Sequence, residues 1–223
     1  MAYKKGDEAK EAILNAATKL FIERGYFATT YTAIGEEAGI NRSLTTYYYS
    51  EKKKLAEMVM LKILKEETSF VGNFLTKAYS PMLKYAISDR IHFRIMTQNN
   101  NVYRFYAEAV SQGLAANIFE ANMPYRPLYE EMAKYYHISM EYPREYYSML
   151  ASGLEYRLVQ TFPSVLAADE TLLRFVISTL PLSMGVPKEE VLYSIEKSKD
   201  LCKDIETYNF DRFIIRKRLI NRR

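Results

Sequence analysis

The 223-residue chain is poor in the residues that build disulfides and metal centres. It has one cysteine, Cys202, only two histidines, His92 and His137, and no tryptophan. A single cysteine cannot form an intrachain disulfide, and no cysteine cluster is present to bind zinc. We therefore predict no metal site and no cofactor, and this cysteine usage fits a reducing cytoplasm.

Long apolar segments are also missing. The longest stretch without a formal charge runs over 13 residues, 175–187, and Pro181 interrupts it. A membrane-spanning helix needs about 20 apolar residues, so we expect no membrane span. The first seven residues turn polar and acidic instead of entering an apolar segment, so no signal peptide is expected.

Common catalytic motifs are absent. The glycines never occur as GxGxxG or before Lys-Ser or Lys-Thr, and there is no HExxH. His92 lies between apolar neighbours, which is typical of a satisfied core or surface histidine. The adjacent carboxylates Glu66 and Glu67 diverge by about 100° on a helix and do not converge as an acid/base pair. We predict no catalytic residues and no enzyme, with an all-α enzyme kept as the alternative.

Helical periodicity runs through nearly the whole chain. Apolar residues recur at i, i+3, i+4, i+7 and i+8 from Ile13 to Phe21, and Gly25 can end this first helix. No window alternates with period two for long enough to indicate a sheet. We predict an all-α protein. Its later helices are expected at 81–97, 102–113, 125–137, 143–162, 169–184, 188–204 and 209–221.

The segment 25–55 predicts two short helices joined by a tight turn. Thr30 is a suitable N-cap for a helix over 31–38, and Gly39 can take the left-handed conformation that ends it. Asn41 then caps a second helix over 42–48. This spacing is that of a helix-turn-helix.

The second of these helices carries side chains suited to reading DNA. At 100° per residue Arg42, Ser43, Thr46 and Tyr47 share one face, while Leu44, Thr45 and Tyr48 lie on the other side. Arginine can donate two bonds to guanine in the major groove. Phosphate contact is easiest at the element ends, which hold Thr30, Tyr48 and Lys52. The alternative is a compact three-helix lobe whose lysine run, 52–54, is merely exposed.

These residues resemble a known family. The chain has Gly-Tyr after the first helix, then Thr29-Thr30, Ile34, Ala38-Gly39-Ile40, an aromatic cluster at 47–49, Lys52 and Leu55. This pattern is similar to the N-terminal domain of TetR-type bacterial transcriptional regulators. The resemblance implies a three-helix DNA-binding domain over 1–54, with a helix-turn-helix, and a larger helical ligand-binding and dimerisation domain over 55–223.

The resemblance also implies roles for single residues. Thr30, Tyr48 and Lys52 would contact phosphates, and the side chains facing the major groove would be Arg42, Ser43, Leu44 and Tyr47. A small core would orient the reading helix through Ile34, Ala38, Ile40 and Tyr49. Gly35 departs from the family, which usually has alanine there, and is expected to cost about 1 kcal/mol of helix stability.

The family implies a homodimer that reads a pseudo-palindromic double-stranded DNA operator, most simply as a repressor. Two late helices are apolar over more than a narrow stripe, and they are the candidate interface, although the same faces could form the chain's own core. The predicted interface residues are Met149, Leu150, Leu154, Leu173, Val176, Ile177 and Leu180. A protein-interaction module that uses these helices for a different partner is the third reading.

An effector site is predicted where tyrosines concentrate. Ten of the 20 tyrosines fall between 103 and 156, and such a region can enclose an apolar or aromatic small molecule. An aromatic-rich core is the alternative. The predicted pocket consists of Tyr103, Tyr106, Tyr129, Met132, Tyr136 and Tyr147. The basic segment 209–223 has no role implied by the family; it is expected to be a helix docked on the body, with phosphate contact or membrane-surface attachment as alternatives.

Overall fold

A computed structural model describes residues 2–114, 126–139, 144–161, 169–203, 208–211 and 214–217. These residues form ten helices and one two-stranded hairpin. The helices are α1 (Ala2–Arg24), α2 (Tyr31–Ala38), α3 (Arg42–Tyr48), α4 (Lys52–Phe74), α5 (Pro81–Gln98), α6 (Asn100–Ser111), α7 (Arg126–Tyr135), α8 (Arg144–Thr161), α9 (Glu170–Met184) and α10 (Lys188–Cys202). The strands are β1 (Tyr208–Asp211) and β2 (Ile214–Lys217).

The predicted helical fold is confirmed, and the boundaries of α5 to α10 agree with the predictions within two residues. The predicted helix over 209–221 is wrong. Strands β1 and β2 pair antiparallel in that segment, with Tyr208 opposite Lys217 and Asp211 opposite Ile214, and β2 lies beside α4. A short run rich in aromatic and β-branched residues fits either period, and here strand pairing decides.

Helices α2 and α3 begin, and α2 ends, at the capping residues that the sequence predicts. The hydroxyl oxygen of Thr30 accepts from the N–H of Ala33 at 3.2 Å and begins α2. Gly39 ends α2 at φ 66°, in the left-handed region. Oδ1 of Asn41 then accepts from the N–H of Leu44 at 2.8 Å and begins α3. The predicted helix-turn-helix is confirmed in its caps and its turn.

Two hydrophobic clusters make up the core of the described residues, and the first of them crosses the predicted domain boundary. The first joins buried residues of α1 and α2 with residues of α4, α5 and α6; the second joins α5 with α7, α8, α9 and α10. The predicted boundary between residues 54 and 55 falls in the first turn of α4, which is continuous. The helix-turn-helix is therefore built onto the body through shared apolar packing.

Helix α5 is the common element of both clusters. On one side α5 packs closely on α10. From this side the guanidinium of Arg90 donates to both carboxylate oxygens of Glu170, the first residue of α9, at 2.7 and 2.9 Å. Nε of Arg90 also donates to the hydroxyl of Ser198 at 3.1 Å. Such a two-pronged pair fixes orientation as well as charge. Another face of α5 carries Asp89 and His92, which line a cavity in the body.

None of the helices in the described ranges has the length and apolar character needed to cross a membrane.

Close packing explains why position 35 holds a glycine, and the neighbouring sequence does not reveal this packing. A Cβ at this position would lie 2.5 Å from the carbonyl oxygen of Ile40 and 3.2 Å from Oγ1 of Thr45. Backbone cannot yield as a flexible side chain can, so the expectation that this glycine only weakens α2 is wrong. The missing side chain lets the turn pass close to α2.

We expect Gly35→Ala to lower the free energy of unfolding by about 1–3 kcal/mol, because it forces the turn away from α2. Gly72→Ala is the matched control. This glycine lies in the last turn of α4, and no described atom beyond the adjacent backbone lies within 4 Å of the position that a Cβ would take. That variant should gain up to about 1 kcal/mol. Denaturant unfolding of both variants measures the difference, and equal or stabilising effects would contradict the close approach.

Candidate nucleic-acid interface and buried cavity

Helix α3 presents one face to solvent and anchors the other. Arg42 and Ser43 are exposed, and Tyr47 is 78% exposed. Leu44 is 37% exposed, so it stands with them, although helical spacing alone put it on the opposite side. The hydroxyl of Thr46 is occupied within the helix, donating to the carbonyl oxygens of Arg42 and Ser43 at 3.1 and 3.0 Å.

The buried face of α3 is fixed by a small core. Thr45 is fully buried, and its hydroxyl donates to the carbonyl oxygen of Asn41 at 3.0 Å. Ile34 is also fully buried, while Ala38 and Ile40 are half-buried. Just beyond α3, Tyr49 is buried and its hydroxyl donates to the carbonyl oxygen of Lys10 at 3.3 Å. The direction of α3 is thus set by contacts to both α1 and α2.

The three predicted phosphate contacts lie in different settings. Thr30 is exposed, with its hydroxyl oxygen accepting the cap bond of α2. Tyr48 is half-buried, its ring set edge-on to Tyr47 at 5.4 Å, with Nζ of Lys10 at 5.8 Å from its centroid. Thr30 also lines a shallow open groove together with Phe27, Thr29, Tyr31, Thr32, Arg42 and Lys52.

Lys52 holds the loop between α1 and α2. Its Nζ donates to the carbonyl oxygens of Tyr26 and Thr29 at 3.0 and 3.1 Å and lies 4.4 Å from the Tyr26 ring centroid. Burial lowers the pKa of Lys52, and the carboxylate of Glu108 acts in the opposite direction. An ammonium has three N–H donors, so two of them serve this loop.

Helix α6 fastens the helix-turn-helix to the body, a feature that the sequence analysis missed. Phe105 stacks on Phe21 of α1 with centroids 5.4 Å apart and planes 10° apart. Nη2 of Arg104 donates to the carbonyl oxygens of Ile22 and Glu23. One turn further on, a carboxylate oxygen of Glu108 accepts from the N–H of Phe27 at 3.0 Å. Nothing in the sequence distinguishes these two charges from other charges on a helix surface.

The body contains a cavity that is open on one side. Its volume is about 60 Å³, which is room for several waters or for a small polar group. The lining comprises Leu64, Tyr85, Asp89, His92, Phe93, Tyr129, Leu150, Ala151, Leu154, Glu155, Val176, Thr179 and Leu180.

The structure places Tyr129 alone, of the six predicted pocket residues, in this lining. Met132 and Tyr147 are buried in the second cluster, and Tyr106 is buried in the first. Tyr103 packs half-buried against the first cluster. Tyr136 packs against the second, and its hydroxyl donates to Oε1 of Glu190 at 3.0 Å. Most of these aromatics therefore pack in the core, the alternative that the sequence left open.

A buried ion cluster forms one wall of the cavity. His92 on α5 donates from Nδ1 to a carboxylate oxygen of Glu67 on α4 at 2.8 Å and from Nε2 to Glu155 on α8 at 3.0 Å. Glu67 is fully buried, and the other two residues are 6% exposed. Burial alone lowers the pKa of His92, but the two carboxylates outweigh it and raise the pKa well above its usual range. The imidazole is therefore a cation that links three helices.

Asp89 lies one turn before this histidine on the same helix. Burial raises the pKa of Asp89 to about 7, partly offset by a hydrogen bond from the Tyr85 hydroxyl and by the charge of His92. Burial also raises the pKa of Tyr85 and of Tyr129, with Asp89 adding to both. No group of three or more His, Cys, Asp or Glu residues in the described part of the chain is arranged to hold a metal ion.

The predicted interface residues divide into two groups. Met149 is 69% exposed, Leu150 is 40% exposed, and Leu154 is half-buried. The four predicted residues of α9 are buried in the chain's own core. They are Leu173, Val176, Ile177 and Leu180. The exposed apolar side chains of α9 are Phe175 and Leu182. A broad apolar stripe does not by itself say which side faces inward.

Residues 13–59 match the family described as bacterial regulatory proteins, tetR family. A curated relative is the HTH-type transcriptional regulator HbdR of Aromatoleum sp. (strain CIB), 34% identical over 58 residues. The match covers 26% of this chain and spans about a quarter (25%) of that relative's length.

Solved structures share the fold over most of the chain. RolR in complex with its ligand resorcinol superposes with a TM-score of 0.66 at 15% identity, covering 88% of this chain and 95% of that one. The fatty acid degradation regulator FadR from Bacillus halodurans gives a TM-score of 0.52 at 14% identity, covering 76% and 98%.

The fold and the exposed second helix define a helix-turn-helix DNA-binding protein with a helical body. Residues 13–59 thus match the TetR family of bacterial regulators, and the helical fold of the rest of the chain is shared with RolR.

We expect Asp89→Asn to stabilise the protein at pH 8 and to have little effect at pH 4. The pKa of Asp89 is raised from 3.8 to about 7 on folding, so its contribution to stability is full below pH 4 and is lost as pH rises through 7. A gain of about 1 kcal/mol would raise Tm by about 2–4 °C.

Thermal unfolding at both pH values measures this effect. The control is Asp200→Asn, which changes an exposed carboxylate of α10. A variant that is destabilised at pH 8, or that shifts equally at both pH values, would show that folding does not raise the pKa of the Asp89 carboxyl.

Proposed function

We propose that the chain acts as a homodimeric repressor that reads a pseudo-palindromic DNA operator with α3 and is released by a small molecule bound in the body. The observation that carries this proposal is α3 itself, which points Arg42, Ser43 and Tyr47 to solvent while its other face is locked onto α1 and α2. Leu44 on the same exposed face can contact only a thymine methyl or exclude a base.

Arg42 stands at the first position of α3, where a reading helix enters the major groove. Its guanidinium can donate to O6 and N7 of a guanine, and the hydroxyls of Ser43 and Tyr47 can bond to base edges or phosphates. Thr30, Tyr48 and Lys52 border this face and would contact the backbone of the duplex. Lys52 would do so with the donor that the loop carbonyls do not use.

A homodimer would place two copies of α3 about one helical turn of DNA apart. Support comes from exposed apolar side chains on two consecutive helices: Tyr146, Met149 and Leu150 on α8, and Phe175 and Leu182 on α9. Exposed apolar residues grouped in this way are typical of an interface. We propose this patch as the dimer surface, in place of the buried residues of α9. A regulator of chromosomal genes would act in the cytoplasm.

Helix α6 would couple the body to the reading helix. Near the cavity, the ring of Tyr106 lies edge-on to His92 at 6.0 Å. At the other end of the connection, Arg104 holds carbonyls of the last turn of α1 and Glu108 holds the loop after it. A molecule that favours one position of α6 would shift the population of dimers whose reading helices match the operator. The fold shared with RolR, whose structure contains resorcinol, supports a small effector of aromatic type.

Selection of binding sites from random duplex DNA by the purified protein, at two salt concentrations, tests the proposal. Enrichment of a twofold-symmetric sequence is the expected result. A folded dimer that enriches no sequence at either salt concentration would overturn it.

We expect Arg42→Ala to weaken binding to the selected operator by about 1–3 kcal/mol and to relax the preference at one base position. Lys52→Ala should weaken all sequences similarly and flatten the salt dependence. Arg157→Ala, at an exposed position of α8, is the control. Equal losses on operator and random DNA for Arg42→Ala, measured by titration, would refute its reading role.

We expect Phe175→Glu to convert the dimer into monomers and to weaken operator binding, because it places a charge in an apolar interface. Tyr193→Glu is the matched control, since Tyr193 is 61% exposed on α10, away from the proposed patch. Light scattering gives the mass of each variant. A dimer that persists in Phe175→Glu but not in Tyr193→Glu would move the interface to α10.

A further inference from the structure

We infer that the cavity takes a small organic cation, an amine or amidine attached to an aromatic or alkyl group, whose charged head lies between the carboxyl groups of Asp89 and Glu155. The inference rests on the proposed function, in which this cavity is the effector site, and it names the chemical class of that effector.

The charges around the cavity do not balance. Two carboxyl groups, those of Asp89 and Glu155, line the cavity beside one imidazole, that of His92, which also pairs with Glu67 outside the lining. The described lining contains no lysine and no arginine. His92 pairs with Glu155, so ionised Asp89 is a negative charge for which the described lining offers no second cation. Buried charge is costly unless it is paired, so an entering cation supplies the missing partner.

The polar groups match a cation that donates hydrogen bonds. Carboxylates accept, and an amidinium presents two parallel N–H donors of the kind that make two-pronged bonds with a carboxylate. A further polar group lies beside the cluster: Tyr106 is 3% exposed, and its hydroxyl has no hydrogen-bond partner among the described residues. This ring lies against His92. A polar ligand that reaches the cluster, or a water bound to that ligand, therefore finds the Tyr106 hydroxyl available for a hydrogen bond.

The remaining walls fit the uncharged part of such a ligand. Tyr85, Phe93 and Tyr129 supply aromatic rings, whose faces attract cations. Leu150, which is 40% exposed, and Leu154 supply an apolar side from α8. The enclosed space suits a head group, and the apolar remainder would lie toward the open side. An anion would meet the carboxylates and be repelled.

Binding of a cation is expected to strengthen as pH rises from 6 to 8. The pKa of Asp89 is about 7, so its carboxyl changes from mostly neutral to mostly charged over this range. The groups that face it are Tyr85 and His92 from α5, Glu67 from α4, Tyr129 from α7 and Glu155 from α8. Helix α9 contributes Val176, Thr179 and Leu180, which do not titrate. The full effect of Asp89 is about tenfold in affinity.

Calorimetric titration of the full chain with benzamidine, benzamide and resorcinol at pH 6 and pH 8 tests the inference. Benzamidine stays charged at both pH values, benzamide is its neutral counterpart of the same shape, and resorcinol is a neutral phenol. We expect benzamidine to bind more tightly than benzamide at pH 8 by about tenfold or more, with a smaller difference at pH 6. Equal or tighter binding of benzamide or resorcinol, or no binding of benzamidine, would overturn the inference.

Two variants locate the head group. Asp89→Asn should abolish the pH dependence of benzamidine binding, and Glu155→Gln should lower the affinity while keeping an acceptor for Nε2 of His92. Glu196→Gln, at an exposed position of α10, is the control and should bind as the unchanged protein does. If Glu155→Gln does not fold, Asp89→Asn and the ligand comparison still decide. Unchanged binding by Asp89→Asn at both pH values would overturn the assignment.

Operator release is measured separately, so that the two proposals fail independently. Benzamidine that binds the cavity but leaves the operator complex intact supports the ligand class and counts against an effector role. Binding and release by resorcinol in preference to benzamidine supports a ligand-responsive regulator and overturns the cationic class.

Discussion

A positively charged imidazole in the middle of a helical body is the constraint around which this structure is organised. His92 lies on α5, the helix that belongs to both hydrophobic clusters, and it needs a carboxylate on each ring nitrogen. Glu67 and Glu155 supply them from α4 and α8. Removal of either carboxylate would leave the charge of the imidazole only partly compensated in an apolar surrounding. The relative positions of three helices therefore depend on these two bonds.

The same cluster explains why the cavity and the reading helix belong to one mechanical unit. Tyr106 contacts His92 from the middle of α6. Two residues before it Arg104 holds the last turn of α1, and two residues after it Glu108 holds the loop that follows α1. Phe105 stacks on Phe21 between them. Nζ of Lys52 then donates to the carbonyl oxygens of Tyr26 and Thr29 in that loop. Chemistry in the body is thus joined to the helix-turn-helix by direct contacts instead of by a flexible linker.

Local signals were sufficient wherever a structure depends on neighbours in the chain. Thr30, Gly39 and Asn41 define their caps through bonds that span three to five residues, so they could be recognised by spacing. The exposure of Arg42 and Ser43 follows from the same short helix. Helical spacing alone put Leu44 on the wrong side of α3 and gave no packing reason for Gly35, because the environment of both is set by residues that the turn brings close.

The sequence by itself determined the helical class, the helix boundaries and the reading head, because periodicity and capping act over a few residues. Only the tertiary structure decided which side of α9 faces inward, why a cavity forms beside Asp89, and that 208–211 pairs with 214–217 as two antiparallel strands. Each of these depends on partners distant in sequence. Glu67, His92 and Glu155 are far apart along the chain, and only the packing of α4, α5 and α8 gives them a common site.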